Sequence, residues 1–259
     1  MEIIINGVKT YYQVFGEGTP FLILHGWGSN SDRWIPVAEK IAGGVPGGPG
    51  PFKVIVPDLP GFGKSDALPV PWDTNKYINW LEQFAKELGG PSGSGEFYLL
   101  GHSFGGALAS KMAVKYVQEI KKLFLGSAAC VRKKTAKKNF FQKVSKIVRI
   151  FYFLPYYAFF RKAIYKFIIR KSDYVYVEGI MKQTYLNVVA EDLSFHLPFI
   201  KVPTVIIWGD KDELTPIEEG YFIAKQIKNS KFVIIPGAGH DLNRKQPEAL
   251  AEKVLENLS

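Results

Sequence analysis

The stretch Phe97-Tyr98-Leu99-Leu100-Gly101-His102-Ser103-Phe104-Gly105-Gly106 decides the reading of this chain, because an apolar run breaks into G-x-S-x-G and resumes as an alanine-rich segment. A β-strand over Phe97 to Leu100 has to reverse sharply into a helix starting near Phe104. The turn forces Ser103 into a strained backbone geometry that the small neighbours Gly101 and Gly105 permit. Its Oγ then stands clear, with the backbone N–H of Phe104 beside it at the helix N-terminus. A bare G-x-S-x-G also fits a polar turn; the strand before it and the helix after it favour an exposed nucleophile.

The 259 residues, 47% hydrophobic and 14% aromatic, supply the core of one large α/β domain. The single cysteine, Cys130, excludes an internal disulfide framework and any multi-cysteine metal site, and suits a reducing compartment. No metal or cofactor is implied. Met1 to Phe15 lacks a basic stretch leading into an apolar one and reads as two short strands turning at Asn6-Gly7, so a cytoplasmic location is expected.

Strand patterns alternate with helical ones, which predicts a mostly parallel sheet covered on both faces. After the hairpin, strands are expected over Phe21–Leu24, Val54–Val56, Phe97–Leu100, Lys122–Leu125, Val205–Trp208 and Phe232–Ile235. Helices are expected near Trp34–Ile41, Asn75–Leu88, Phe104–Tyr116, Ile217–Ile227 and Pro247–Leu258. Gly43–Pro51 and Gly89–Gly95 read as connectors.

A serine hydroxyl needs a base to take its proton, and the base needs a carboxylate to fix its tautomer. Among the four histidines His240 is the candidate base, because Pro236-Gly237-Ala238-Gly239-His240-Asp241 follows the last strand at the sheet end where Ser103 emerges. His25, His102 and His196 read as structural. The acid is sought in Trp208-Gly209-Asp210-Lys211-Asp212-Glu213-Leu214-Thr215-Pro216, after the strand Val205–Trp208. Asp212 is the choice, with Asp210 as a turn former and Glu213 as part of the next helix left as alternatives. Two oxyanion donors are assigned to the backbone N–H groups of Phe104 and of Trp27, the latter in Leu24-His25-Gly26-Trp27-Gly28.

These placements together resemble the α/β-hydrolase superfamily, particularly its cap-bearing esterases, carbon–carbon bond hydrolases and cofactor-free perhydrolases. Ser103, Asp212 and His240 stand in the family's order, and His25-Gly26-Trp27-Gly28 matches its oxyanion loop. The resemblance implies an α/β-hydrolase fold with an eight-stranded, mostly parallel sheet and a helical cap inserted after the sixth strand. Core residues 1–129 and 198–259 would flank a cap at 130–197. Asp58-Leu59-Pro60-Gly61-Phe62-Gly63-Lys64-Ser65 resembles the family's segment after the fourth strand, with Asp58 and Ser65 bracing the loop. A serine rather than an aspartate at position 103 disfavours dehalogenation and aspartyl-type epoxide hydrolysis. The expected activity is hydrolysis of carboxylic esters, with apolar acyl groups preferred. Alternatives are carbon–carbon bond hydrolysis or perhydrolysis on the same triad, and a ligand-binding member without turnover.

Ile120 to Ser172 contains 15 Lys or Arg and no Asp or Glu, so the net charge of +9 is a property of this segment. Aromatic residues crowd it: Phe140, Phe141, Phe151, Tyr152, Phe153, Tyr156, Tyr157, Phe159, Phe160, Tyr165 and Phe167. The aromatics are expected to pack the cap and line an acyl pocket while the lysines face water. A second reading rests the segment on an anionic membrane surface, each cation contributing about 1 kcal/mol, which makes the protein membrane-peripheral. Nucleic acid is not an expected partner, since no reading motif accompanies the charge. Ile150–Phe160 is too short to span a bilayer, which takes roughly twenty apolar residues, and Pro155 is expected to break the cap into two helices. The partner implied is a small-molecule ester.

Overall fold

The computed structural model describes residues 1–45, 47–87, 95–132 and 178–258. Eight strands form one sheet in the order β1-β2-β4-β3-β5-β6-β7-β8. They are β1 (Glu2–Ile5), β2 (Val8–Phe15), β3 (Thr19–Leu24), β4 (Phe52–Pro57), β5 (Phe97–His102), β6 (Ile120–Gly126), β7 (Thr204–Gly209) and β8 (Ser230–Ile235). The β1–β2 and β2–β4 pairs are antiparallel and every other pair is parallel. The helices among the described residues are α1 (Ile35–Ala42), α2 (Thr74–Glu87), α3 (Phe104–Lys115), α4 (Gly179–Ala190), α5 (Ile217–Gln226), α6 (Leu242–Lys245) and α7 (Pro247–Leu255), with 3₁₀ turns at Ser31–Trp34 and Ser194–Phe199.

Period-two alternation builds two cores from one strand. On β3, Leu22 and Leu24 join Leu99, Leu125, Ile206 and Trp208 beneath α2, α3 and α5, while Phe21 and Ile23 join Val54, Leu100, Phe124 and Ile207 beneath α1 and α7. With both faces covered, the central strands read as unbroken apolar runs; β7 is buried at every position. Each strand expected from the sequence is present, and the expected helices agree to within a turn, with Leu88 lying outside the described residues. α4 falls within the expected helical cap, for which the sequence pattern sets no helix bounds.

The order of strands brings the site together. The chain passes from β3 out to β4 and then back across β3 to β5, so successive crossovers leave β3 in opposite directions and open a crevice at its carboxyl end. Leu24 is in register with Gly101, so the loop leaving β3 and the turn leaving β5 start side by side. β7 and β8 pair through Gly209 and Ile235, which sets their two following loops in contact. Asp58, after β4, receives the N–H groups of Ser31 (2.5 Å) and Lys64 (2.7 Å), and the Ser65 hydroxyl donates to the Asp58 carbonyl at 2.6 Å. This brace fastens the loop after β3 to the loop after β4.

The described residues stop at Arg132 and resume at Glu178. The eleven aromatic residues named above, nearly all of the expected cap's basic ones and Pro155 lie in 133–177, outside the described residues, and with them the expected membrane contact and the two-helix break. α4 seats its stripe of Met181, Thr184, Tyr185 and Val188 on the core at helical spacing. Thr184 and Val188 are buried, the Thr184 hydroxyl accepts the Trp72 N–H at 3.0 Å, and the Tyr185 ring meets Trp27 at 5.1 Å. At its C-terminal end Glu191 takes Lys111 at 2.7 Å and the Thr74 hydroxyl, and Lys111 also donates to Thr74 and Asn75. Among the described residues no helix is long and apolar enough to cross a membrane.

The side chains of Lys111 and Glu191 are only 11% and 27% exposed, so removing one strands the other where water reaches it poorly. Lys111→Ala and Glu191→Ala are each expected to lower unfolding free energy by about 1–3 kcal/mol, and the double variant by clearly less than the sum. Urea unfolding of the four proteins checks this; strict additivity would mean the pair does not anchor α4.

Candidate active site

Ser103 sits between β5 and α3 with φ 53° and ψ −115°, a conformation that costs a residue with a side chain about 1–3 kcal/mol. Three hydrogen bonds hold it there. Its N–H donates to the Gly126 carbonyl at 3.0 Å, and its carbonyl accepts Ala107 N–H at 3.1 Å and Ala129 N–H at 3.0 Å. Glycine is required beside it: a Cβ on Gly105 would stand 2.2 Å from the Leu24 carbonyl oxygen, so only a bare backbone lets α3 start this close to β3.

The structure brings Ser103, His240 and Asp212 into one chain of contacts. His240 Nε2 lies 3.0 Å from Ser103 Oγ, and His240 Nδ1 lies 2.9 Å from Asp212 Oδ2. The Asp212 carboxylate is fully buried while the His240 side chain keeps 16% of its surface in contact with solvent. Of the two alternatives to Asp212, Asp210 is exposed and its Oδ1 accepts the Gly237 N–H at 2.6 Å, clamping the two loops together. Glu213 is exposed as well.

Asp212 is saturated with donors. Oδ1 accepts the N–H groups of Leu214 and Thr215, both at 2.9 Å, and Oδ2 accepts the Thr215 hydroxyl at 2.8 Å besides the His240 ring. Burial by itself would push this carboxyl up. The hydrogen bond and charge of His240, then the Thr215 backbone, outweigh it and hold the acid at about 2. An ionised carboxylate at Nδ1 puts the proton there and leaves Nε2 free to accept from the serine hydroxyl.

The loop after β3 lies against the serine. A Cβ on Gly26 would come within 3.2 Å of Ser103 Cβ, so Trp27 and Gly28 run past the hydroxyl. Phe104 opens α3, and the first N–H groups of a helix have no intrahelical acceptor. Trp27 lines the cavity beside Ser103, and Phe104 follows the serine at the start of α3. Together Gly26, Trp27, Gly28, Ser29, Ser103, His240 and their neighbours line a cavity of about 250 Å³.

Sequence reasoning passed over two contributors. Thr215 hydrogen-bonds Asp212 and lies 3.1 Å from His240 Nδ1; the signal was a hydroxyl residue three positions after the acid, where a side-chain-capped turn places one. His102 is the other: its Nε2 donates to the His240 carbonyl at 2.8 Å and its ring packs 5.0 Å from the His240 ring. His25 accepts the Leu59 N–H at Nε2 (2.9 Å) and therefore carries its proton on Nδ1, which donates to the Gly26 carbonyl at 2.8 Å. The His196 ring lies 4.2 Å from that of Phe195, tilted by 35°, in the second 3₁₀ turn. Cys130 is buried, which pushes its thiol up to about 11 and leaves it inert.

Residues 21–253 match the family model of the alpha/beta hydrolase family. Lipase 3 of Moraxella sp. (strain TA144) is 25% identical over 249 residues, spanning 86% of this chain and 72% of the lipase. The 2-hydroxy-6-oxo-6-(2'-aminophenyl)hexa-2,4-dienoic acid hydrolase of Metapseudomonas resinovorans is 25% identical over 280 residues, spanning 98% of this chain and 89% of that enzyme. Among solved structures, a thermophilic esterase from Thermogutta terrifontis superposes with a TM-score of 0.70 at 25% identity, covering 99% of this chain and 96% of the esterase.

Burial lowers both His25 and His102 from the ordinary 6.5 to about 4, so each stays neutral in the folded protein while its unfolded counterpart protonates. Between pH 6.5 and 4 the unfolded chain binds more protons, and stability rises with pH. The contribution is complete above pH 6.5 and is lost as pH falls towards 4, at about 1.4 kcal/mol per pH unit for each histidine. Asp212 acts lower, between its ordinary 3.8 and about 2. Urea midpoints at pH 7, 6 and 5 are expected to fall steadily, and less steeply in His25→Gln; a flat profile would contradict neutral burial.

Proposed function

The chain belongs to the alpha/beta hydrolase family, and on that premise we propose that it is a serine hydrolase of carboxylic esters. The observation that carries this reading is the unbroken relay from Ser103 Oγ through His240 to a buried, ionised Asp212. In the proposed cycle His240 Nε2 takes the Ser103 proton as Oγ bonds to the substrate carbonyl carbon. The carbonyl oxygen becomes an oxyanion held by the N–H groups of Trp27 and Phe104. Its collapse breaks the bond to the alcohol oxygen, which takes the proton from His240 and leaves. Water then adds to the acyl-serine with His240 again as base, releasing the acid and restoring the Ser103 hydroxyl.

An apolar acyl group suits the wall beside the serine. The Trp27 ring meets Phe62 at 4.9 Å, Phe104 at 5.5 Å and Tyr185 at 5.1 Å, and such edge-on aromatics form a stiff hydrophobic surface. Because Tyr185 comes from α4, residues 130–197 are proposed to act as a cap over this wall. The near full-length match to a dienoic acid hydrolase supports carbon–carbon bond hydrolysis as the second reading.

A fluorophosphonate probe is expected to label the folded protein at neutral pH, and Ser103→Ala to abolish both labelling and turnover, with kcat/KM falling by about 10⁴ or more. Absence of labelling would sink the hydrolase reading. A series of nitrophenyl esters of increasing acyl length, run beside a vinylogous diketone, separates the two readings: faster turnover of the longer esters favours the first, and preference for the diketone the second.

A further inference from the structure

The cavity at Ser103 has a second wall of opposite character. It is built from the 3₁₀ turn Ser31–Trp34 and from α6, which are tied by a hydrogen bond of 3.0 Å from Asn243 Nδ2 to the Arg33 carbonyl. These turns bring Arg33 and Arg244 to the cavity lining, with Asn243, Asp241, Leu214 and Ser29.

The neighbouring carboxylates do not neutralise this pair. Asp32, next to Arg33, accepts Gln13 at 2.7 Å and Lys64 at 3.0 Å. Asp241 is 3.8 Å from Arg244 with both side chains about half exposed, an ion pair at the edge of contact and weak in water. Two guanidinium groups and one carboxylate leave a positive balance on this wall. The Arg33 charge also reaches the oxyanion loop, where it helps to hold His25 neutral.

We propose that Arg33 and Arg244 form an anion-recognition subsite of the Ser103 cavity, selecting esters that carry a carboxylate or phosphate group on a short arm near the scissile carbonyl. Planar guanidinium groups present paired N–H donors matched to both groups, and Asn243 adds a polar side chain to the same wall. The inference rests on the serine-hydrolase reading for the bond that breaks. It adds that one arm of the ester is anionic while the other meets the aromatic wall.

Three probes test it: 4-acetoxybenzoate, 4-acetoxyphenyl phosphate and the neutral 4-acetoxybenzamide. At low ionic strength the wild-type protein is expected to show kcat/KM about fivefold or more higher for the anionic esters, a margin that shrinks in 0.5 M salt because the arginines are solvent-exposed. The larger margin of the two assigns carboxylate or phosphate. In Arg33→Gln/Arg244→Gln the ratio of anionic to neutral kcat/KM is expected to fall to about one. Lys228→Gln, at the opposite end of the sheet, should leave the wild-type ratio in place. Equal kcat/KM for all three probes in the wild type, or a preference that survives the double variant, would overturn the subsite.

Calorimetric binding of the same probes to Ser103→Ala separates this failure from that of the hydrolase reading. No turnover of any ester together with tighter binding of the anionic ones sinks the hydrolase reading and supports the subsite. Turnover with equal binding does the reverse.

Discussion

Ser103 is held in a backbone conformation it would not adopt alone, and the arrangement of the site follows from how that conformation is enforced. Its N–H is bonded to the end of β6 and its carbonyl to Ala107 and Ala129, so relaxing the serine would break contacts on two sides at once. Strain of this size persists only where the surroundings over-determine it. Because β5 lies between β3 and β6, the turn is clamped from both neighbours. The hydroxyl is lifted above the sheet, and the start of α3 is pressed against the loop after β3. A single constraint thus sets the place of Ser103 Oγ, the Phe104 N–H and the approach of Gly26 and Trp27.

The second layer is electrostatic. A buried carboxylate is tolerated because Asp212 gives each of its oxygens two donors, so the charge lost from water is answered by fixed hydrogen bonds. Three of those four come from Leu214 and Thr215, on the same short loop, which makes the orientation of the acid a local property of residues 212–215. His240 has less local support: its carbonyl accepts the Leu242 N–H at 2.9 Å. Remote groups add to this: the clamp from Asp210 to Gly237 and the Lys211 N–H on the Ala238 carbonyl (2.9 Å) hold its loop, and His102 donates to its carbonyl. His102 therefore links the turn that carries Ser103 directly to the loop that carries His240.

Much of this was legible in the sequence, and what was not shares a cause. Strands and core helices could be read because their buried positions recur with period two or close to three and four, as Leu22/Leu24 and Phe21/Ile23 illustrate. The bounds of α4 escaped because its core-facing stripe includes Thr184 and the half-buried Tyr185, whose fit depends on Trp72 and Trp27 far away in sequence. The elbow and the order of serine, acid and histidine are local features. Whether Asp210, Asp212 or Glu213 faces the histidine is not: all three are acids after one strand, and the contact with a second loop decides which is buried and which are exposed. The same holds for His102, whose hydrogen-bond partner lies 138 residues away.

Trp27 is where chemistry and selectivity separate. Its N–H, the proposed oxyanion donor, belongs to the backbone, so its place is fixed by the passage of the loop past Ser103 and by the brace from Asp58 to Ser31, whichever side chain stands at position 27. Its ring, by contrast, joins Phe62, Phe104 and Tyr185 in the aromatic wall. Arg33 lies a few residues further along the same loop, beyond that brace, so one segment supplies a main-chain donor, an apolar surface and a cation in succession. Substitutions of the Trp27 or Arg33 side chains can alter what the cavity accepts without moving the donors. In the proposed reaction the oxyanion donors are backbone groups, whereas the walls proposed to choose the substrate are built from side chains.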